Sequence, residues 1–415
     1  MPVSQRVCTS NTMTRSYATC LQLLHQYRSR PITCLAGYHR GCRALATTSP
    51  PPPSHSPIHI LGLGSIGTFA AHTLAEIPAR PPVTLLLHRQ SLIDEYRQCG
   101  KQIALETNEG DLVKYGDYNL ELLNGTNRQE VVLEPESPDL LTNTTQNNLE
   151  YTIQHLIVSV KSTQTVAALR PLLPRLIRIS SILFLQNGAG MIEDVNDLLW
   201  PNPYTRPNYI TGVISHGVTL KSPFSIKHTG PAATSLGPVP RSPGGTNDTP
   251  PPASTNYLLD TLLQAPRLSC RSYDYSSILQ LQLEKLAVNA FSNPLTALAD
   301  STVEYLFSIP KLRSALMAEI SSVILALPEL QGVTGVRERF SSKRLDETVM
   351  RVIVQNRSTT CSMVWDMRAG RETEIRYING YWARRGRELG VGTPLNDEIV
   401  EKIQAMTAER QSGPR

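Results

Sequence analysis

The sequence predicts an α/β fold, in which a domain built on a parallel sheet is followed by an all-helical domain. Apolar segments of strand length recur across residues 58–274, and several of them end at glycine or polar residues, as strands of a buried parallel sheet do. From residue 275 onward the apolar residues follow helical spacing instead. We therefore expect a sheet domain over 58–274 and a helical domain over 275–415, preceded by a leader over 1–57.

The first predicted strand, Ile58 to Leu61, runs into the turn GLGSIG and then into an apolar helix. This order indicates an N-terminal Rossmann-type dinucleotide-binding domain, because the three glycines have separate tasks. Gly62 permits the tight turn, Gly64 lets the backbone approach a pyrophosphate, and Gly67 brings helix and strand together. Since a helix N-terminus attracts anions, the predicted phosphate-binding residues are Gly62, Gly64, Ser65, Ile66 and Gly67.

The end of the second predicted strand, PVTLLLHR, indicates which dinucleotide is bound. An acidic residue here would bind the ribose 2′-hydroxyl of NAD, but the chain has His88 and Arg89 and no acid before Asp94. An arginine at this point is suited to the 2′-phosphate of NADP. The alternative is an ordinary solvated surface arginine.

Two further predicted strands, Leu156 to Val160 and Leu183 to Leu185, are also followed by polar residues. Ligands of open α/β sheets bind beyond the carboxyl ends of the strands. We therefore expect Lys161, Gln164 and Asn187 to line the cofactor crevice. The later segments YITGVISHGVTL and FSIKHTGPAATSLG are predicted to be antiparallel strands, and residues 135–149 and 238–256 are predicted to be loops.

The segment KLAVNAFSNPLTAL places an amine and two amides on one face of an otherwise apolar helix. Lys285, Asn289 and Asn293 stand at i, i+4 and i+8, so their side chains align. Pro294 is expected to end the helix. A lysine among apolar residues has a lowered pKa and can give up a proton, so this face is a candidate acid–base site. The alternative is a solvated stripe.

The charge distribution excludes a nucleic-acid-binding body. Residues 1–57 contain six arginines, no lysine and no acid, so removing them from the net charge of +5 leaves −1 for the rest of the chain. This Arg-, Ser- and Thr-rich composition predicts a mitochondrial transit peptide followed by a Pro-rich linker. A disordered extension of a cytoplasmic protein is the alternative.

Neither a membrane span nor a metal site is expected. No run of 18 or more apolar residues is present, which excludes a transmembrane helix. Outside the leader the cysteines are only Cys99, Cys270 and Cys361, and without a CxxC pair they indicate neither a disulfide framework nor a zinc site.

Several segments together resemble the ketopantoate reductase family (2-dehydropantoate 2-reductase). They are, in family order, GLGSIG, VSVKSTQ, LQNGAG, ISHGVTL, HTG, KLAVNAFSNPLTAL and CSMVWDMRAGRETEIRYINGYWARRGRELGVGTPLN. They span residues 58 to about 397. The resemblance implies a Rossmann domain joined to a helical domain, NADPH (oxidised to NADP⁺) as the cofactor, and reduction of ketopantoate to pantoate on the way to coenzyme A.

The resemblance also implies roles for individual residues. Lys285 would be the catalytic lysine and general acid, and Glu374 would complete the catalytic pair. The implied substrate-binding residues are Asn289, Asn293, Ser362 and Asn187, and Asn187 would also lie near the nicotinamide, with Lys161 and Gln164 near the cofactor. Asp366 and Arg368 are expected to be structural or interdomain partners.

The chain departs from the family pattern at three places. It has Gln282 and Leu283 where an aromatic residue often precedes the lysine, and His155 where an acid is usual at the head of the VxVK strand. Thr359 replaces an asparagine that helps to bind the substrate carboxylate. Two other functions therefore stay open: reduction of a different 2-keto acid or 2-keto lactone, and a catalytically silent NADP-binding regulator. A small 2-keto acid is the expected partner, and a homodimer is an open expectation.

Overall fold

The computed structural model describes residues 56–124, 127–131, 152–241 and 253–412. The predicted transit peptide, its linker up to residue 55 and the 135–149 loop lie outside these residues. Among the described residues, no helix is long and apolar enough to cross a membrane.

Thirteen strands are present in the described part of the chain. They are β1 Ile58–Leu61, β2 Val83–Leu87, β3 Ile103–Glu106, β4 Leu112–Tyr115, β5 Asn119–Asn124, β6 Asn127–Val131, β7 His155–Val158, β8 Ser181–Phe184, β9 Asn208–Ile214, β10 Gly217–Ser222, β11 Ser225–Gly230, β12 Thr234–Val239 and β13 Cys270–Ser272.

Nine of these strands form the main sheet, in the order β13-β12-β9-β8-β7-β1-β2-β5-β6. Strands β9, β8, β7, β1, β2 and β5 are parallel to their neighbours in this run, and β1, β2, β7, β8 and β9 are buried along their whole length. The chain moves outward from β1 in both directions, first to β2 and later to β7. The carboxyl ends of β1 and β7 therefore border the crevice where such sheets bind ligands.

The segments predicted to be antiparallel strands form a more mixed arrangement. Strand β9 is antiparallel to β12 but parallel to β8. Strands β10 and β11 leave the main sheet and join β3 and β4 in a separate four-stranded sheet, where β11 is parallel to β3. The predicted antiparallel pairing is confirmed between β9 and β12 and between β10 and β11, and β9 and β11 each have in addition a parallel neighbour from an earlier part of the chain.

Helices of the described residues cover the sheet and build the C-terminal region. They are α1 Ser65–Ala75, α2 Gln90–Gln98, α3 Thr165–Leu169, α4 Met191–Leu198, α5 Ala253–Leu263, α6 Tyr275–Leu298, α7 Pro310–Ala326, α8 Val336–Arg339, α9 Ser342–Gln355, α10 Ser362–Arg368, α11 Asn379–Leu389 and α12 Pro394–Ser412. The C-terminal helices share one apolar core, in which Phe291, Leu316 and Trp382 are fully buried.

The longest helix, α6, continues through Pro294 to Leu298, so the prediction that Pro294 ends it was wrong. A proline inside a helix leaves the carbonyl four residues earlier without its N–H partner. Here that carbonyl, Ala290 O, accepts a hydrogen bond of 3.0 Å from Asn379 Nδ2. The helix continues because a buried side chain from α11 replaces the missing donor.

The loop predicted over residues 238–256 is shorter than expected, because a strand and a helix extend into its two ends. Strand β12 extends to Val239, and α5 begins at Ala253. Pro238 pairs with Ile210 of β9, whereas β13 pairs with β12 only as far as residue 236. Proline is tolerated in β12 because its missing N–H falls where the strand has no second partner. Residues 242–252 lie outside the described part.

Candidate active site

The glycine-rich turn between β1 and α1 fits a bound pyrophosphate. Gly62 has φ +98°, and a Cβ on Gly67 would lie 1.8 Å from Gly62 O, so neither position accepts a side chain. A Cβ on Gly64 would meet no atom within 4 Å, which leaves open space on the crevice side. The N-terminus of α1 has no side-chain cap and no acid in its first turn, so the N–H groups around Ser65 and Ile66 can bind an anion.

Arg89 lies at the carboxyl end of β2, directly before α2. Its side chain is half exposed, and its only ion pair in the described residues is a 3.8 Å contact with Glu95. That distance is long and the pair is exposed, so it holds the guanidinium weakly. Arg89 is thus available to a phosphate in the adjoining crevice.

Lys161 follows β7 and ties the sheet to the helical region. Its Nζ lies 2.6 Å from Asp366 Oδ2 of α10 and donates to Glu372 O at 3.2 Å. Asp366 Oδ1 also forms an ion pair of 3.1 Å with Arg371 Nε. Arg368 does not join this group, because it pairs with Asp300. Gln164, one turn further along, is exposed, and its side chain makes no hydrogen bond to a described residue.

Lys285 of α6 reaches the carboxyl ends of β8 and β9. Its Nζ donates to Asn187 Oδ1 at 3.1 Å and to the main-chain carbonyl of Ile214. Burial lowers the pKa of this ammonium to about 8, and the charge of Glu374 opposes that shift. The lysine has no direct carboxylate partner among the described residues. Two neutral acceptors therefore orient an amine that can donate its proton near neutral pH.

The two asparagines predicted beside Lys285 are both buried, with 8% of Asn289 and 6% of Asn293 exposed. Neither amide side chain makes a hydrogen bond to any described residue. Their amide atoms are not among the fully enclosed polar atoms that lack a partner in the described residues, so they are open to a ligand. Asn289 lines a recess together with Lys285, Asn187 and Gly188, while Asn293 lies one turn further along α6 and does not line that recess.

Glu374 precedes the short turn that leads into α11. Its Oε1 accepts hydrogen bonds of 2.9 Å from both the main-chain N–H and the Oγ of Ser162. The same Ser162 Oγ lies 2.6 Å from the main-chain carbonyl of Asn187, so its single proton has two possible acceptors. Burial raises the pKa of Glu374, while the two Ser162 donors and the charge of Lys161 act in the opposite direction.

The loop carrying Asn187 is fastened to the helical region. Ala189 N donates to Tyr377 O at 2.9 Å, and a Cβ on Gly188 would lie 2.7 Å from the same oxygen. Asp194 of α4 accepts from Tyr377 Oη at 2.7 Å and pairs with Arg384 of α11 at 2.9 Å. These contacts fix Asn187 relative to Lys285.

The structure thus brings Lys285, Asn187 and Asn289 into one recess and connects Glu374 to it through Ser162. Ser362 is exposed at the start of α10, and its side chain makes no hydrogen bond to a described residue. Sequence reasoning missed two residues. Gln282 lines the recess and donates to Gly188 O at 3.2 Å, and its position three residues before Lys285 could have revealed it.

Ser162 is the second missed residue, and it is fully buried. Its Glu374 partner lies 212 residues away in sequence, so no local pattern could have identified it. Within the described residues there is no cluster of three or more acidic, histidine or cysteine side chains that could hold a metal ion.

Two family models match the chain. The model described as ketopantoate reductase PanE/ApbA matches residues 58–241, and the one described as ketopantoate reductase PanE/ApbA C terminal matches 277–407. Together they cover the glycine turn, the strand ends and the Lys285 helix.

Individual relatives are similar over most of the chain. A probable 2-dehydropantoate 2-reductase of Schizosaccharomyces pombe is 29% identical, with 83% of this chain and 94% of the relative covered. Ketoisovalerate reductase BEA2 of Gibberella fujikuroi is 26% identical, with 85% and 83% covered. The crystal structure of a PanE/ApbA family ketopantoate reductase from Ralstonia eutropha has a TM-score of 0.61 at 17% identity, covering 86% of this chain and 99% of that one. That structure supports the same fold.

Proposed function

The chain belongs to the ketopantoate reductase family of oxidoreductases, and on that premise we propose that it reduces 2-dehydropantoate (ketopantoate) to pantoate, in pantothenate and coenzyme A biosynthesis. The observation that carries the proposal is the setting of Lys285. Its ammonium is bonded to two neutral acceptors, and beside it Asn289 offers a buried amide with no partner among the described residues.

The cofactor of the family is NADPH, which supplies the hydride when bound. The glycine turn and the N-terminus of α1 fit its pyrophosphate, and Arg89 fits its 2′-phosphate. Lys285 holds the proton that the keto oxygen needs as it gains negative charge, which makes it the general acid. Such help is worth roughly 10²–10⁴-fold in rate.

The remaining side chains orient the reacting groups. Asn187 Oδ1 and the Ile214 carbonyl aim the Lys285 ammonium, because each accepts one of its N–H groups. The Asn289 and Asn293 amides bind the hydroxyl and keto oxygens of the substrate without adding a charge that would compete for the lysine. Glu374 binds the terminal hydroxyl. Ser362 is proposed to bind the substrate at the other rim of the cleft.

A second candidate is reduction of a different 2-keto acid, and Thr359 motivates it. This half-buried residue stands where the family pattern has an asparagine for the substrate carboxylate, and its main-chain carbonyl accepts from Val303 N at 3.0 Å. A threonine hydroxyl has one proton to donate to a carboxylate, whereas an asparagine amide has two and a longer reach. The similarity to a ketoisovalerate reductase points in the same direction.

The deciding experiment is NADPH oxidation by the purified protein with a panel of 2-keto acids. Ketopantoate should give the highest kcat/KM, and ketoisovalerate, which lacks the terminal hydroxyl, a lower one. The Glu374→Gln variant should lose more kcat/KM with ketopantoate than with ketoisovalerate. A higher kcat/KM for ketoisovalerate in the wild type would favour the second candidate. No turnover of any keto acid, with NADPH still bound, would indicate the silent regulator.

The role of Arg89 is tested by comparing two cofactors. Arg89→Ala should raise the KM for NADPH about tenfold, because a charge-assisted contact to phosphate is worth roughly 1.5–3 kcal/mol before solvent screening. The KM for NADH should change little, since NADH has no 2′-phosphate. Equal changes for both cofactors would remove Arg89 from the cofactor site.

We also propose that residues 1–57 direct the protein to mitochondria, on their composition alone. A fluorescent fusion of these residues should enter mitochondria, while the body from residue 58 should stay in the cytosol. Cytosolic location of the full-length protein would contradict targeting. A homodimer stays a prediction, to be checked by light scattering.

A further inference from the structure

Ser162 is a buried serine that stands between the two halves of the active site. It is fully buried and lies in the short turn after β7. Its Oγ is 2.6 Å from the main-chain carbonyl of Asn187 and 2.9 Å from Glu374 Oε1. Asn187 in turn accepts from Lys285 through its side-chain Oδ1. A continuous series of contacts therefore connects Glu374 to Lys285 without any substrate.

When Glu374 is ionised, the groups in this series have too few protons to form a hydrogen bond at every contact. A serine hydroxyl has one proton to donate, whereas a carbonyl and a carboxylate both only accept. If the hydroxyl donates to Asn187, it cannot donate to an ionised Glu374 at the same time. If Glu374 is protonated, its carboxyl proton is donated to Ser162 Oγ and the hydroxyl proton to Asn187, and both contacts are satisfied.

We propose that Ser162 is a positioning residue whose single hydroxyl proton is directed either to Glu374 or to Asn187, so that the protonation of Glu374 determines how firmly Asn187 is held against Lys285. With Glu374 protonated, Asn187 is fixed from both sides, by Ser162 on its main chain and by Lys285 on its side chain. With Glu374 ionised, the hydroxyl is directed to the carboxylate and the main-chain contact to Asn187 is released.

The charged groups around Glu374 come from three elements. Ser162 N–H and Lys161, from the turn after β7, favour the ionised carboxylate, while Asp366 of α10 disfavours it. Lys285 of α6 interacts with Glu374 at longer range. Lys161 and Asp366 pair with each other at 2.6 Å, and they act on the pKa of Glu374 in opposite directions. This leaves Ser162 as the neighbour whose change should move the titration of Glu374 most.

The inference rests on the proposed function only in its consequence for catalysis, so its test has a readout that needs no substrate. The carboxyl carbon of Glu374 is followed by ¹³C NMR as a function of pH in protein labelled at glutamate, and its signal is assigned by its loss in Glu374→Gln. Ser162→Ala removes the hydroxyl donor and keeps the main-chain N–H. The midpoint of Glu374 should then move to higher pH, because the ionised carboxylate loses a charge-assisted hydrogen bond, which is stronger than the bond that the protonated carboxyl loses.

Ser181→Ala is the matched control. Ser181 is also fully buried in the sheet domain, and its hydroxyl contacts other hydroxyls, those of Ser254 and Thr255. Its removal should leave the Glu374 midpoint unchanged. Ser162→Thr keeps the hydroxyl and should restore the midpoint toward the wild-type value. A midpoint that is the same in Ser162→Ala and the wild type would overturn the proposal.

The kinetic consequence separates this inference from the proposed function. In Ser162→Ala the kcat/KM for ketopantoate should fall about tenfold, as for a lost positioning hydrogen bond. In the wild type, kcat/KM should decline as the pH rises through the NMR midpoint of Glu374, because ionisation releases Asn187, and this decline should be absent in Ser162→Ala. If the midpoint moves but the wild type reduces no keto acid, the coupling stands and the proposed function fails. If the wild type reduces ketopantoate but the Glu374 midpoint does not move in Ser162→Ala, the proposed function stands and the proposed coupling is wrong.

Discussion

Two lysines lie near Glu374, and their neighbours differ. Lys161, at the end of β7, forms an ion pair of 2.6 Å with Asp366 and also bonds to a main-chain carbonyl. Lys285, on α6, contacts a side-chain amide and a main-chain carbonyl but no carboxylate among the described residues. The first lysine joins the sheet to the helical region, whereas the second can release its proton. Burial, with no carboxylate contact to offset it, lowers the pKa of Lys285 and makes it the lysine proposed as the proton donor.

The largest expected effect tests this contrast directly. Lys285→Ala should lower kcat at least about a hundredfold while NADPH still binds, because it removes the proton donor from the transition state. Lys161→Ala should instead raise the KM for NADPH and lower kcat less than about tenfold. Both variants are compared by steady-state kinetics and by NADPH binding. An equal loss of kcat in the two variants would break the distinction between the lysines.

An effect of intermediate size is expected from two asparagines that differ in the same way as the two lysines, one without a protein partner and one with two. Asn289 makes no side-chain hydrogen bond within the described residues, whereas Asn379 donates to Ala290 O and to Asn396 Oδ1. Asn289→Ala should raise the KM for the keto acid about tenfold or less and leave the free energy of unfolding nearly unchanged. Asn379→Ala should lower that free energy by about 1–3 kcal/mol, because it leaves a buried carbonyl without a donor.

Urea denaturation of both asparagine variants, together with their kinetics, checks these expectations. Destabilisation by Asn289→Ala as large as that by Asn379→Ala would mean that the Asn289 amide serves the fold. It would then no longer be a candidate for substrate binding.

The smallest effect concerns pH. A general acid must be protonated, so kcat/KM should decline as the pH rises through about 8, the pKa of Lys285. The negative charge of Glu374 raises that pKa against the effect of burial. Glu374→Gln should therefore move the alkaline limb of the kcat/KM profile to lower pH, by less than about one pH unit.

Asp366→Asn serves as the control in the pH experiment, because Asp366 contacts Lys161 rather than Lys285. Its alkaline limb should coincide with that of the wild type. A limb that moves equally in both variants would show that the two lysines share one electrostatic environment.

The features readable from the sequence are those set by neighbouring residues. The turn at Gly62, Gly64 and Gly67 follows from a strand, three glycines and a helix in succession, and the structure has β1 at the predicted residues. The alignment of Lys285 with Asn289 follows from helical periodicity. The family assignment from the motifs is confirmed.

The failures involve partners that are remote in sequence. Pro294 does not end α6, because its effect on Ala290 O is compensated by Asn379. Ser162 carries no sign of its role, since its contact with Glu374 depends on how the sheet and the helical region meet. Local rules identified the elements of the site, and tertiary contacts decide how these elements are connected. The roles of the individual site residues stay predictions.

The hydrogen bond from Asn379 to Ala290 O also has a consequence for biosynthesis. The two residues are 89 positions apart, and at 5–20 residues per second the ribosome needs roughly 4–18 s to add that length of chain. During this interval Ala290 O has no donor from the protein, because Pro294 lacks an N–H and Asn379 has not been synthesised. The hydrogen bond that replaces the missing donor at Pro294 can therefore form only after the later segment has been synthesised.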